Sequence, residues 1–215
     1  MVAGKGSKMR ETDAWAMFEE DVTGEVNHGI CVSNLAYYVA KELGLYEDQC
    51  RELAVAGMVH DIGKLRVSGY LYGRDADTLN IEEMKYVRMH PRLGYEILIR
   101  YDFSDFIVES ILYHHENYDG SGYPENLAGD SIPIGGRILR VCDVYAALTS
   151  ERPYRQAFDQ DTALELMIDE VKNFDMKVFL AFQRVIHEED FLEKWAEQHI
   201  KVGIAEEEKY DYTGA

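Results

Sequence analysis

The chain has 215 residues, 47% apolar and 12% aromatic, enough for one domain with a single sizeable core and too apolar for global disorder. Its 40 acidic residues against 22 basic ones leave a formal net charge of -18, a field that repels a DNA or RNA polymer, because backbone binding relies on Lys and Arg displacing counterions. No apolar run reaches the roughly 18–20 residues of a bilayer span, and the opening MVAGKGSKMR lacks the apolar stretch of a secretory signal.

In chain order, residues 1–10 read as a flexible arm. Val26, Ile30, Tyr37 and Val32, Leu35, Ala36, Val39 recur at helical spacing and predict a helix over 25–42 that stops at Gly44. A second helix over 47–61 carries Leu53, Ala56, Gly57 and His60 on one stripe. Residues 66–80 read as a long loop, and residues 81–90 and 92–100 as two short helices divided by Pro91. A helix over 104–116 sets Ile107, Ile111, His114 and Val108, Leu112, His115 in adjacent rows. The Gly- and Tyr-rich stretch 117–133 is a second long loop, of a length usually functional or disordered. Helices over 134–149, 160–171 and 176–187 complete an all-α reading, and 188–215 is an acidic tail in which Phe191 and Trp195 could dock one turn. One folded domain is expected over 11–187. Cys31, Cys50 and Cys142 are scattered and odd in number, which reads as a reduced, cytoplasmic chain.

Five of the seven histidines, His28, His60, His90, His114 and His115, fall on helical faces that should point inward, with Asp61 and Asp143 beside them. Asp143 shares its face with Gly136, Leu139 and Ala146, where an unpaired carboxylate is costly to bury. Five imidazoles and two carboxylates without a thiolate suit iron, manganese or zinc at an open site rather than a structural zinc. Seven ligands exceed what one ion takes, so two ions are expected, with Asp61 able to bridge them. Such a pair suits phosphoryl transfer. His187 and His199 have no partner motif and are expected to be incidental.

At this point the residues resemble a family. His60-Asp61-Ile62-Gly63-Lys64, the pair His90-Pro91, the stretch from His114 to Gly122-Tyr123-Pro124, and Asp143 followed by Arg152-Pro153-Tyr154-Arg155 are similar to the ordered motifs of the HD-GYP domain. The resemblance spans about residues 20–187. It implies an all-helical HD-superfamily bundle around two or three metal ions, hydrolysing cyclic di-GMP to pGpG and in many members to GMP. Carried over by position, the metal ligands are His28, His60, Asp61, His90, His114, His115 and Asp143. Asp61 and Lys64 would be catalytic, Lys64 holding a phosphate oxygen. Tyr123 would seat the ligand, and Arg152 and Arg155 would grip the second phosphate. The metals expected are two divalent ions, iron or manganese before zinc, nickel or magnesium.

Three departures bear on this expectation. Gly24 stands where members with a third metal carry a Glu, and Glu25 lies only three residues before His28. Ala146 replaces an Asp usual in the family, and the segment 65–80 after Lys64 is atypical. Two other readings therefore stand beside hydrolysis of cyclic di-GMP: a metal- and ligand-binding signalling module with weak catalysis, or an HD phosphohydrolase of another nucleotide, cyclic or not. A homodimer or a regulatory partner domain is open, as is whether the chain stands alone or is a piece of a larger regulator.

Overall fold

The periodicity of the N-terminal segment becomes two helices lying along each other. The computed structural model describes residues 11–71, 85–151 and 156–188; in it α1 runs Glu11–Glu42 and α2 runs Glu47–Val59. α1 starts well before the expected residue 25, because the stretch before it is rich in helix formers such as Ala14, Ala16, Met17, Glu19 and Glu20, and the interior Gly24 costs only about 1 kcal/mol. It stops as expected at Gly44, whose φ of +78° is a left-handed conformation that glycine adopts freely. α1 and α2 approach so closely that a Cβ on Gly57 would lie 2.8 Å from Ser33 Cα.

The middle of the chain departs most from expectation. Helix α3 (Lys64–Leu71) replaces the first half of the loop expected over 66–80, since that stretch holds no proline and buries Val67. Residues 72–80 lie outside the described residues. Pro91 does not divide two helices: it sits in the first turn of α4 (His90–Leu98), where the N–H it lacks would have no helical partner. Of the helix expected over 81–90, residues 85–87 are helical and 81–84 are outside the described residues. α4 runs into a 3-10 turn, Ile99–Tyr101.

Helix α5 (Asp105–Leu112) is capped by Ser104, whose Oγ accepts the Ile107 N–H at 3.3 Å. It ends four residues before the expected 116, so His114 and His115 stand in the turn beyond it rather than on the helix. Helix α6 (Ile134–Thr149) has its expected bounds. α7 (Gln160–Asp169) and α8 (Met176–Ile186) open on Asp159 and Asp175, whose carboxylates accept N–H groups of Thr162 and Lys177. No strand occurs among the described residues. The expected arm 1–10, nearly all of the acidic tail, Arg152 and Arg155 lie outside them.

Leu35, Leu53, Ile111, Ile138, Leu139, Met167, Phe182 and Ile186 are fully buried between these helices, each worth roughly 1.5–3 kcal/mol of transfer from water. α2 and α6 each pack against both α1 and α5 and touch each other, and α4 leans on α5. The ends and faces that meet there carry the histidines and aspartates.

Candidate metal centre

The side chains of the cluster arrive from several separate pieces of this framework. His28 comes from the middle of α1, His60 caps α2, and Asp61 follows in the turn before α3. His90 opens α4, His114 and His115 follow α5, and Asp143 projects from α6. His28, His60, His90 and His114 are buried, and the structure brings all seven expected ligands together.

Asp143 Oδ1 lies 3.0 Å from His28 Nε2 and 3.6 Å from His60 Nε2. Asp61 faces two ways: Oδ2 is 3.2 Å from His60 Nε2, while Oδ1 is 3.1 Å from His90 Nε2. Three overlapping sets could each hold an ion: His28 with His60 and Asp143, His60 with Asp61 and His114, and His90 with His114 and His115.

The ring protons are placed by backbone. His60, His90 and His114 donate Nδ1–H to the carbonyls of Gly57, Val87 and Ile111 at 2.8, 2.7 and 2.6 Å. A carbonyl only accepts, so in the neutral rings the lone pair is left on Nε2. His90 Nε2 and His114 Nε2 then face each other at 3.2 Å, an arrangement that calls for a cation between them. His28 Nδ1, His60 Nε2 and Asp61 Oδ1 are buried without a hydrogen-bond partner, each costing about 1–3 kcal/mol if left so. These three orphaned atoms, gathered at one place and all of metal-ligating type, fit divalent ions.

Charge reinforces this. Burial alone would disfavour the charged His60, but Asp61 and Asp143 outweigh it and hold its pKa well above the imidazole range. Burial would likewise raise Asp61 and Asp143, yet the surrounding imidazoles pull both well below the carboxylate range. Burial lowers His114 strongly and takes His115 down to about 3, so both offer neutral rings. In metal-free protein the unfolded chain therefore takes up protons on His114 and His115 below pH 6.5 that the folded chain refuses, and acid favours unfolding. His60 acts oppositely: its stabilisation is complete below 6.5 and is lost as pH rises through its higher folded value. The melting temperature of chelator-treated protein is expected to peak near pH 6.5, and a monotonic rise from pH 5 to 9 would contradict these assignments.

Lys64 reaches the centre from α3, its Nζ 2.6 Å from Asp61 Oδ2 and 3.4 Å from Glu25 Oε1. Glu25 thus pairs with the lysine, and the Gly24 position opens on empty space. Ala146 is buried in the core. Tyr123 stacks on His115 at 4.8 Å, with its N–H donating to the His115 carbonyl at 3.1 Å. Cys31 and Cys142 are buried packing residues.

Several residues of the site had not been singled out. Glu116, 1% exposed, accepts the N–H groups of Glu125 (2.7 Å) and Leu127 (3.1 Å), tying the 117–133 loop back onto α5. Its place directly after the paired histidines was the available signal. Glu116→Ala strands two donors and is expected to cost about 2 kcal/mol while leaving the bound metal count unchanged. Thermal melting with metal analysis checks this; an unaltered melt would mean the loop is held otherwise. Arg88 stands 5.3 Å over the Tyr123 ring, and Arg140, one turn before Asp143, bonds Asn117 of the loop.

Residues 8–178 match the family model described as HD domain. The chain is 41% identical over 135 residues to the cyclic di-GMP phosphodiesterase response regulator RpfG of Xanthomonas campestris pv. campestris, covering 62% of this chain and 35% of that protein. It is 36% identical over 160 residues to the cyclic di-GMP phosphodiesterase PA4108 of Pseudomonas aeruginosa, covering 74% and 38%. The crystal structure of a cyclic GMP-AMP specific phosphodiesterase of Vibrio cholerae, V-cGAP3, shares the fold with a TM-score of 0.63 at 16% identity, over 85% of this chain and 51% of that one. The chain spans less than two fifths of the length of these two curated relatives.

Proposed function

The chain belongs to the HD domain family as an HD-GYP member, and from that premise we propose that residues 11–187 form a metal-dependent phosphodiesterase hydrolysing cyclic di-GMP to pGpG, with GMP as a further product. The observation that carries this reading is Asp61, whose two oxygens face separate groups of imidazoles. His28, His60 and Asp143 would hold one divalent ion, His90, His114 and His115 the other, and Asp61 both. When bound, such a pair supplies an activated water and Lewis-acid stabilisation of a phosphoryl oxygen. Iron or manganese suits a donor set of imidazole and carboxylate. Two ions rather than three follow from Gly24 and from the engagement of Glu25 with Lys64.

The chain's own groups then position the nucleotide. Burial disfavours the Lys64 ammonium, but Asp61 and Glu25 outweigh it and raise its pKa, so it stays charged to hold a phosphate oxygen as charge develops. Tyr123, backed by His115, offers a ring face against which a base can stack. Arg152 and Arg155 would grip the second phosphate through their forks. The three cysteines are unpaired, which supports a reducing cytoplasm. No helix among the described residues is long and apolar enough to cross a membrane. A second copy or a regulatory domain is the partner we would seek, by solution mass.

The test is product analysis of cyclic di-GMP and cyclic GMP-AMP with protein purified without oxygen and loaded with Fe(II) or Mn(II), metal being counted on the same sample. Metal-dependent pGpG or GMP supports the reading. Intact cyclic di-GMP with two ions bound would replace it by a ligand-binding module, and preferential cleavage of cyclic GMP-AMP by a phosphodiesterase of that substrate. Lys64→Ala is expected to lower kcat about 100-fold with both ions retained; loss of metal in that variant would make Lys64 a structural partner of Asp61 instead.

A further inference from the structure

In this acidic chain, arginines are generally neutralised. Arg51, Arg66, Arg92, Arg137 and Arg184 each pair with a carboxylate, and Arg88 and Arg100, which have no such pair among the described residues, are exposed to water. Arg140 has no such pair either: among the described residues its one hydrogen bond is from Nε to Asn117 Oδ1, at 2.9 Å. It is half-buried on α6, three residues and one helical turn before Asp143. A guanidinium partly withdrawn from water with no counter-charge is a costly feature that an arriving anion would offset.

Its surroundings say where that anion would lie. Asn117 follows His115 by two residues, and its Nδ2 donates to Ser121 Oγ at 2.9 Å, which sets its Oδ1 toward Arg140. Tyr123 stacks on His115, Arg88 stands over its ring, and the charge of Arg140 acts on both Tyr123 and His115. Arg140 therefore sits at the His115 end of the centre, whereas Lys64 contacts Asp61 Oδ2 at the end toward His28 and His60. With Nε engaged, the two terminal nitrogens are left as parallel donors, the edge that fits two oxygens of a phosphate.

We infer that Arg140, oriented by Asn117, binds the phosphodiester of the cyclic dinucleotide that is not being cleaved, while Lys64 serves the one at the metal centre. This rests on the phosphodiesterase reading above. Arg140 adds to any grip from Arg152 and Arg155, and it couples substrate binding to the loop that carries Tyr123.

The test compares metal-loaded wild type with Arg140→Ala and Arg140→Lys on cyclic di-GMP. Arg140→Ala is expected to raise KM roughly 10- to 100-fold with kcat within about threefold, as for lost uniform binding, and with the metal count kept. Arg140→Lys recovers only part of the loss, because the charge remains but the fork does not. An unchanged KM overturns the inference, and so does a raised KM accompanied by metal loss, which makes Arg140 a support for the loop. Titration with pGpG separates the two levels. A wild type that leaves cyclic di-GMP intact yet binds pGpG more tightly than Arg140→Ala removes the hydrolase reading and keeps this site; equal pGpG binding by both removes the site.

Discussion

Asp61→Asn is expected to leave a folded protein that holds at most one ion per chain and loses at least about 1,000-fold in the proposed phosphodiesterase activity, ~4 kcal/mol at 1.4 kcal/mol per tenfold. Asparagine keeps the shape but replaces one carboxylate oxygen by an amide nitrogen that only donates. In the native chain Oδ2 lies 3.2 Å from His60 Nε2 and Oδ1 lies 3.1 Å from His90 Nε2, and in their neutral forms both imidazoles present lone pairs there. The amide can serve one side, while its N–H₂ presents like polarity to a cation on the other. The full negative charge that draws Lys64 to within 2.6 Å also goes. Elemental analysis of the purified variant, beside product formation from cyclic di-GMP, decides the matter. Two ions per chain with activity within tenfold of wild type would remove Asp61 from its bridging role.

Gly63→Ala tests the framework instead. A Cβ at Gly63 would stand 2.0 Å from His90 O and 2.7 Å from Gly94 N, both backbone atoms that no rotamer change can move. The turn after Asp61 and the first turn of α4 must separate, at an expected cost of about 3 kcal/mol, or roughly 6–12 °C in melting temperature for a domain of this size. The displacement also draws His90 away from Asp61, so metal affinity falls together with stability. Differential scanning calorimetry and metal titration of the variant measure the two effects. A melt unchanged within 2–3 °C, about 1 kcal/mol on that scale, would mean that the close approach of α3 and α4 is dispensable.

The legible part of this molecule was the part governed by local periodicity. The apolar rows of α6 and of the C-terminal half of α1, with Gly44 as a stop, defined helices directly, and the inward rows that carried Leu53 or Leu139 also pointed His60 and Asp143 toward the centre. Where local rules compete, the sequence was a weaker guide. Pro91 ends a helix or opens one with equal ease, and only the packing of α4 on α5 and against Gly63 decides for opening. Residues 64–71 carry few loop signals, and helix α3 was hidden by the Gly- and Tyr-rich stretch after it.

The ligand types, their inward direction and the family motifs followed from the sequence alone, because side-chain chemistry and helical spacing are properties of neighbouring residues. The partition of the seven ligands around Asp61, the placement of ring protons by the Gly57, Val87 and Ile111 carbonyls, and the position of Arg140 beside Tyr123 were decided only by the tertiary structure. These depend on distances between helices far apart in the chain, as between His28 and Asp143, which lie 115 residues apart and meet at 3.0 Å. Such distances are set by how whole helices pack, at the closeness that glycines such as Gly57 and Gly63 permit.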